Sequence, residues 1–502
     1  MRYAMNESIC SLFFMTALAL LLATATARAT DDVTNQVKSL TLRECVDRAL
    51  ENNLEIKAQR INPTIGTWGV VGAQGVYDPV LSGGINYQDS TVPEDPGQPA
   101  IVNRQLQSTA ALTGLLPSGA TYDFSTATTR DSGNTMTNFA FLYTGSAGVS
   151  LTQPLLKNFG FGVNSATIRI ARESQSIALQ TFVQLVMSKI NAVSTAYYEL
   201  VFAIENHKSA LETRALAQQL LDENRRREQV GTMSPLDVIQ AEAGVAESEQ
   251  TVITTERAIK DNENTLKRLI CQRVTEFRGV SLVPVDYPVV QMVAADVDQS
   301  TKKALEMRAD YLSLEHALER QNITVQFNRN QLWPEIDLQG SYAANGRGHN
   351  FATYEERTAS GNNPTWVVGV TLTVPLGNRQ ARANYHIARL DADQALLGLK
   401  SLEQDIVVQV DNAVGHVETN LKSVEAARAA TRLAQESLDA EKKKLLAGTS
   451  TTFLVLQAQS QLAAARSAEI RAQADYSESI VALDLAEGTI LEKNNIVLDE
   501  KY

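Results

Sequence analysis

The stretch "REQVGTMSPLDVIQAEAG", Arg227–Gly244, decides the fold because it interrupts a long run of helix-forming sequence. A similar stretch, "LLAGTSTTFLVLQAQS", Leu445–Ser460, follows later, with Gly448 in the place of Gly231. Glycine is favoured just past the C-terminus of a helix, and serine or threonine at the N-cap of the next one. Each stretch therefore predicts a sharp reversal between two helices, at residues 231–235 and at residues 448–452.

The residues of the first turn suit successive positions of such a reversal. Gly231 suits the left-handed position after the helix end, and Ser234 suits the N-cap of the next helix. Pro235 fits the first helical turn, and Asp237 stands where the acidic residue of a capping box reaches back. The second turn can use Gly448 and Thr451 in the same way, but it has Leu454 in place of Asp237.

The matches between the two halves of the chain extend well beyond these turns. They include Val238 with Val455, Gln240 with Gln457, Leu151–Leu155 with Leu372–Leu376, and Pro79 with Pro334. Because the order of the matches never changes, the sequence predicts a tandem duplication. The expected units are a first repeat at residues 30–271, an inter-repeat segment at 272–300, a second repeat at 301–490 and a C-terminal tail at 491–502.

Each repeat contains a very long amphipathic stretch before its turn. Apolar residues recur every three or four positions, which is the signature of one apolar stripe on an α-helix. In the first repeat the stripe includes Phe182, Val186, Ile190, Val193, Tyr197 and Leu200, and in the second Ile406, Val410, Val417, Leu421 and Val424. Each helix is expected to run about 60–65 residues, roughly 90–100 Å. A helix of that length forms a coiled coil or lines a tube.

Strands are predicted at residues 78–153 and 333–376, before each long helix. In "WVVGVTLTV", Trp366–Val374, one face carries Trp366, Val368, Val370 and Leu372, and the other carries glycine and threonine. This alternation is typical of a membrane strand between lipid and water. A soluble, half-buried sheet gives the same pattern, so the strands alone leave both alternatives open.

The first repeat carries about 34 additional residues between Pro79 and Pro154. They include the segment Arg104–Arg130, whose sequence predicts an added hairpin. Two further strands beside the others and an external loop folded over the mouth are both compatible with it. We slightly favour the external loop.

The first 29 residues are typical of a signal peptide. Arg2 precedes the apolar run Ser11–Ala23, and Ala27-Arg28-Ala29 fits a cleavage site. The run is too short for a stable membrane anchor, and no later apolar run approaches the length of a membrane helix. After cleavage Cys45 and Cys271 remain, both in helix-like sequence, and we expect buried free thiols.

Composition and motifs exclude several function classes. The formal net charge is −12 with no basic cluster, which argues against a nucleic-acid partner. The five histidines have no second ligand at metal-binding spacing, and no nucleophile motif occurs. "GFGVNS", Gly160–Ser165, lacks the lysine of a phosphate loop. We therefore expect no enzyme, no catalytic residue, no cofactor and no metal.

The ordered set of motifs resembles the TolC-like outer-membrane efflux proteins, also called outer membrane factors. The motifs are "SLTLRECVDRALENNLEI", "LTQPLLKNFGFGVNSATIRIAR", "AYYELVFAIEN", "VGTMSPLDVIQAEA", "LWPEIDLQGSY", "LTVPLGNRQARANYHIAR" and "AGTSTTFLVLQAQ". The resemblance implies an α+β membrane protein of the outer membrane that extends into the periplasm. Its long antiparallel helical hairpins would form a tunnel continuous with a trimeric transmembrane β-barrel.

The resemblance also implies a passive duct for a tripartite efflux or type I secretion system. A homotrimer would dock a periplasmic adaptor protein and an inner-membrane pump of the RND, ABC or MFS type. The docking tip would comprise Gly231, Thr232, Ser234, Pro235, Asp237, Gly448, Thr449 and Thr451. Characterised members narrow the inner entrance with acidic residues, where this chain has Leu454 and Gln457. Trp366, Val368, Val370 and Leu372 would face lipid.

Elementary physics favours assembly of several copies. Four predicted strands cannot close a barrel, and open sheet edges are not tolerated in lipid. Three chains would give twelve strands, which is wide enough for a pore. The alternative is a periplasmic coiled-coil scaffold without a barrel. The sequence does not indicate the exported cargo.

Overall fold

A computed structural model describes residues 37–93, 100–134, 140–287 and 296–498. The expected signal peptide at residues 1–29 lies outside the described residues, as do parts of the inter-repeat segment and of the C-terminal tail. The strands are β1 Val37–Leu40, β2 Val80–Val92, β3 Ile101–Leu115, β4 Thr121–Gly133, β5 Leu142–Pro154, β6 Ser281–Pro284, β7 Glu335–Gly348 and β8 Pro364–Thr373.

The helices take up most of the chain. Those before the first turn are α1 Leu42–Asn52, α2 Leu54–Gln59, α3 Ile61–Gln74, α4 Phe161–Asn164 and α5 Ala166–Gln229. Those after it are α6 Pro235–Ile270, α7 Val297–Met307, α8 Ala309–Asn330, α9 Phe351–Ala359, α10 Arg379–Leu446, α11 Thr452–Glu487 and α12 Ile490–Lys493. Within the described part of the chain, none of these helices is long and apolar enough to cross a membrane.

Two long helices organise the helical part. Helix α5 has 64 residues and α10 has 68, and each reverses into an antiparallel helix of 36 residues, α6 or α11. The apolar stripes of both long helices are buried, with Val186, Val193 and Tyr197 on α5 and Ile406 and Val410 on α10. Helical periodicity therefore places the apolar residues where the helices meet.

Four helices lie side by side at each level of the helical part. Near the turns, α11 packs against both α5 and α10, and α6 packs against α5 and also contacts α11. Nearer the large sheet, α8 packs between α5 and α10, and α3 packs against α5. At both levels, a cross-section of the helical part therefore cuts four helices of the chain.

A two-stranded parallel sheet of β1 and β6 joins the two halves of the chain halfway along the helices. The buried hydroxyl of Tyr197 on α5 donates to the carbonyl oxygen of Leu40 at 3.2 Å. It also accepts the backbone N–H of Asp286 at 2.9 Å. Burial raises the pKa of Tyr197 to about 12. A long helix is thus anchored by one neutral phenol to β1 and to the segment that follows β6.

The large sheet has six antiparallel strands in the order β2-β3-β4-β5-β7-β8, with β2 and β8 at its edges. The preference for an external loop at Arg104–Arg130 is wrong, because this segment forms most of β3 and β4. The two strands pair from Asn103 opposite Gly133 to Leu115 opposite Thr121, which covers all of β4. Their threonine-, serine- and alanine-rich sequence has few large apolar residues, so its alternation is hard to recognise.

The two faces of the large sheet differ in chemistry. Directly paired residues share a face, and one row across all six strands reads Leu81, Leu112, Phe124, Val149, Tyr342 and Trp366. The adjacent row on the opposite face reads Ser82, Ala111, Ser125, Gly148, Ala343 and Thr365. In these rows, one face is apolar from edge to edge, and the other is small and polar.

A charged cluster lies between α5 and α11. Arg471 donates to Glu199 at 2.8 Å and to Asp475 at 2.7 Å, and lies 3.5 Å from Glu478. Burial and the nearby charge of Glu199 raise the pKa of Glu478 to about 7. One guanidinium is thus shared among three carboxyl groups.

We predict that Glu478→Gln stabilises the protein at pH 8 more than at pH 5. Because the folded-state pKa is above the ordinary value of 4.5, ionisation of Glu478 costs stability as the pH rises through about 7. Each 1 kcal/mol relieved should raise the melting temperature by roughly 1 °C, because the unfolding entropy of a chain this long is about 1 kcal/mol/K. Glu436→Gln, at an exposed i,i+4 pair with Arg432, is the control and should show no such pH dependence. An equal effect of Glu478→Gln at both pH values would contradict the prediction.

Candidate functional site

The turn between α5 and α6 is a hydrogen-bonded helix C-cap. The N–H of Thr232 donates to the carbonyl of Arg227 at 2.9 Å, and that of Gly231 donates to Glu228 at 2.9 Å. These bonds form a Schellman motif, which requires a left-handed residue at C′, the position directly after the helix C-cap. Gly231 occupies it with φ +77°.

The turn between α10 and α11 has the same geometry. The N–H of Thr449 donates to Lys444 at 2.9 Å, that of Gly448 donates to Leu445 at 3.2 Å, and Gly448 has φ +74°. The hydroxyl of Thr451 then caps α11 by accepting the N–H of Leu454 at 3.4 Å. The two turns are therefore equivalent in structure as well as in sequence.

The first turn is capped by Ser234 rather than by a full capping box. The Ser234 hydroxyl accepts the N–H of Leu236 at 3.2 Å, and Pro235 is the first residue of α6. The backbone N–H of Asp237 donates to the carbonyl of Ser234 at 3.0 Å. Asp237 is half-buried, and its carbonyl accepts a bond from Asn224. Its backbone therefore has a structural role at this turn.

Two side chains that sequence reasoning missed join the two turns. The buried amide of Asn224 on α5 donates to the carbonyl of Asp237 at 3.3 Å and to the hydroxyl of Thr452 at 3.1 Å. Arg227 reaches from α5 to the carbonyl of Leu445 at 3.4 Å, near the end of α10. Only their position just before the turn could have indicated this role. The two helix ends thus form one connected unit.

Apolar packing supports these polar contacts. Six buried residues form a single cluster between the hairpins: Leu220, Leu438, Leu445, Val455, Ala458 and Leu462. Glu441 lies beside the second turn, where Ser450 and Lys444 bond to its carboxylate. These hydrogen bonds lower the pKa of Glu441, so the carboxylate stays charged.

The end of the helical part exposes large apolar side chains. Val230 is 73% exposed, and Leu236, Ile239, Leu446, Phe453 and Leu454 are also exposed. Such a group on one surface is typical of a protein-binding site. Of these residues, the sequence singled out only Leu454, because an exposed apolar residue and a core residue look alike in a helix pattern.

A groove of about 820 Å³ runs between α6 and α11 over α5. Small residues line it, among them Ala210, Ala243, Gly244, Ser460 and Ala464. The predicted entrance residue Gln457 lies on its wall together with Gln240. The small side chains of the groove would let a partner helix approach closely.

The other predicted residues lie far along the chain from the turns. Trp366, Val368, Val370 and Leu372 are all exposed on the apolar face of edge strand β8, Trp366 at 73%. Cys45 and Cys271 are buried free thiols, and burial raises the pKa of Cys45 to about 12. Among the residues that the structure describes, no group of three or more potential ligands could hold a metal ion.

We predict that Gly231→Ala and Gly448→Ala loosen the turns without steric conflict. Neither position has an atom within 4 Å of an added Cβ, so the cost is the left-handed backbone, roughly 1–2 kcal/mol. Amide hydrogen exchange at both turns should accelerate about 5–30-fold. Gly415→Ala, at an equally open position inside α10, should instead stabilise its helix by up to ~1 kcal/mol. Unchanged amide exchange at the turns would contradict the claim that the left-handed conformation of these residues requires glycine.

Sequence and structure comparisons agree on one group of proteins. The chain is 23% identical to the outer membrane protein TolC of Vibrio cholerae over 362 residues, which cover 70% of this chain and 78% of TolC. It is 29% identical to nodulation protein T of Rhizobium leguminosarum over 160 residues, covering 32% of this chain and 33% of that protein.

Solved structures share the fold. The Campylobacter jejuni CmeC outer membrane channel has a TM-score of 0.64 at 18% identity, with 89% of this chain and 86% of CmeC covered. A membrane protein from Pseudomonas aeruginosa has a TM-score of 0.67 at 19% identity, with 89% and 93% covered. Residues 104–272 and 301–489 match the family described as outer membrane efflux protein. The chain therefore belongs to the outer membrane efflux protein family, whose members are non-enzymatic outer-membrane channels that extend into the periplasm.

Proposed function

We propose that this protein is the passive outer-membrane duct of a tripartite efflux or type I secretion system. Three copies assemble, and their sheets close into one transmembrane barrel continuous with a tunnel of long helices. The energy comes from an inner-membrane pump of the RND, ABC or MFS type, reached through a periplasmic adaptor protein. The observation that carries this proposal is the exposed apolar face that crosses all six strands of the large sheet.

Closure by identical copies follows from the two open edges. Strands β2 and β8 each leave one side without a strand partner in the described sheet. Unpaired backbone groups are very costly in lipid, so a membrane sheet must pair its edges. Because β2 and β8 run in opposite directions, β8 of one copy pairs antiparallel with β2 of the next. A ring of identical copies satisfies every edge in the same way.

In the proposed barrel, the two faces of the large sheet contact different surroundings. The row from Leu81 to Trp366 faces lipid, and the row from Ser82 to Thr365 faces the water-filled interior. Outer-membrane barrels have this distribution of apolar and polar side chains. Strands of 10 to 15 residues are long enough to cross the hydrocarbon core.

The helix turns are the proposed docking tip. Gly231, Thr232, Ser234, Pro235, Asp237, Gly448, Thr449 and Thr451 shape its surface. Rigid linked turns, exposed apolar side chains and a groove lined by small residues together suit the helical end of an adaptor protein. The resemblance implies acidic residues at the positions of Leu454 and Gln457 in characterised members, so we propose an inner entrance that is less acidic than theirs.

A periplasmic scaffold without a barrel is the second candidate. The packed helical hairpins would suit it equally well. A scaffold without a barrel gives no role to the apolar face of the large sheet, on which Trp366 and Leu81 are both more than 70% exposed. The duct is therefore the better proposal.

We expect the purified protein to conduct ions in a planar bilayer and to fractionate with the outer membrane. Val368→Arg, on the apolar face, should impair assembly because arginine on the lipid side costs about 2–4 kcal/mol at mid-membrane. Val367→Arg, the neighbouring residue on the opposite face, is the matched control and should assemble normally. A soluble periplasmic protein without conductance would support the scaffold instead.

We also predict that filling the groove blocks export without affecting the channel. Ser460→Trp places a large side chain in the groove between α6 and α11, whereas Ser460→Ala keeps the groove open. In the native host, Ser460→Trp should reproduce the export defect of a gene deletion, and Ser460→Ala should export normally. Both variants should retain bilayer conductance. Full export by Ser460→Trp would exclude the groove as the docking site.

A further inference from the structure

The hairpin of β3 and β4 is built into the base of the large sheet. Its turn, residues 116–120, places Gly119 at φ +93° with its Cα beside the carbonyl of Asn158, leaving no room for a Cβ. The N–H of Gly160 donates to the carbonyl of Ser118 at 3.1 Å. The turn is thus bonded to the junction where β5 passes into the long helix.

A second set of contacts holds the same turn. The hydroxyl of Ser118 donates to the side chain of Gln153 at 3.2 Å, and Ala120 is buried. The side chain of Asn164 donates to the carbonyls of Asn158 and Gly160 at 2.8 and 2.9 Å. An external loop would have no reason to bond its turn at the helix end of the sheet.

The hairpin also continues the two faces of the sheet. Leu112 on β3 and Phe124 on β4 extend the apolar row, and both are exposed. On the opposite face β3 presents Gln107 and Thr109, and β4 presents Thr129. The same face of β4 also carries Asp123 and Asp131, so polar side chains line this face of both added strands.

We propose that each copy contributes six strands to the membrane wall, so that three copies close a barrel of eighteen strands. The inference rests on the proposed function and adds to it the number of strands in the wall and the width of the pore. Strands β2 and β8 are the surfaces that receive neighbouring copies of this chain.

The perimeters of the two parts support eighteen strands. A strand spacing of about 4.8 Å and a tilt of about 40° give each strand roughly 6 Å of circumference. Six strands then span about 37 Å per copy, whereas four would span only about 25 Å. The four helices of each copy span about 32–40 Å at an interaxial distance of 8–10 Å. Six strands thus match the width of the four helices beneath them.

A barrel of eighteen strands has a wider pore than a barrel of twelve. Barrel diameter grows roughly linearly with strand number, so eighteen strands give a mean radius about 1.5 times that of twelve. Barrels of 16–18 strands enclose an aqueous channel. The added hairpin therefore makes the membrane section as wide as the twelve-helix tunnel.

Electron cryomicroscopy of the full chain in lipid nanodiscs tests this directly. We expect a trimer with eighteen strands in its wall. A trimeric channel with twelve strands and β3–β4 outside the wall would overturn this inference and leave the proposed function intact. A protein that neither forms a trimer nor conducts would instead overturn the proposed function, and this inference with it.

Cysteine labelling gives an independent test with matched variants. Ala111→Cys lies on the polar face of β3, and Leu112→Cys lies on the apolar face. The native Cys45 and Cys271 are buried and give a low background. In lipid, a charged maleimide should label Ala111→Cys at least tenfold faster than Leu112→Cys. Equal labelling of both variants would place the hairpin in water and overturn the inference.

Discussion

Unpaired backbone groups at the edges of a membrane sheet are the constraint on which the rest of this structure depends. One copy has a sheet with an apolar face, which is unfavourable in water, and two open edges, which are unfavourable in lipid. In the proposed assembly, each edge pairs with a strand of a neighbouring copy and the apolar face contacts lipid. The helices of that assembly follow the ring of strands, and their length carries the ring away from the membrane. The proposed assembly, its pore and its helical tunnel thus all follow from the need to pair the backbone groups at the sheet edges.

The two helix turns, at the other end of the helical part, meet a different structural requirement. Two long helical hairpins must reverse direction while remaining in register with one another. Left-handed glycines make the reversal, and Asn224 and Arg227 tie the two reversals together. Around these ties, large apolar side chains such as Val230 and Phe453 are exposed. A surface that is rigid, apolar and grooved suits binding of another protein more than chemistry.

Much of this architecture could be predicted from the sequence, for reasons that are visible in single residues. The periodic apolar stripe through Val186, Val193 and Tyr197 indicated the length of the first helix, and a repeated glycine indicated each turn. The hairpin of β3 and β4 was misjudged, because Thr109, Ala110 and Ala111 look the same in a loop and in a strand with a small polar face. The ties through Asn224 and Arg227 and the groove over α5 depend on contacts between distant helices, which no local pattern encodes.

The most direct test of this account is a count of copies. Native mass spectrometry of the full protein, released intact from lipid nanodiscs, measures that number without any variant. The account predicts a complex of three chains, since one copy cannot satisfy its own sheet edges. A single chain that remains stably inserted in lipid would contradict it.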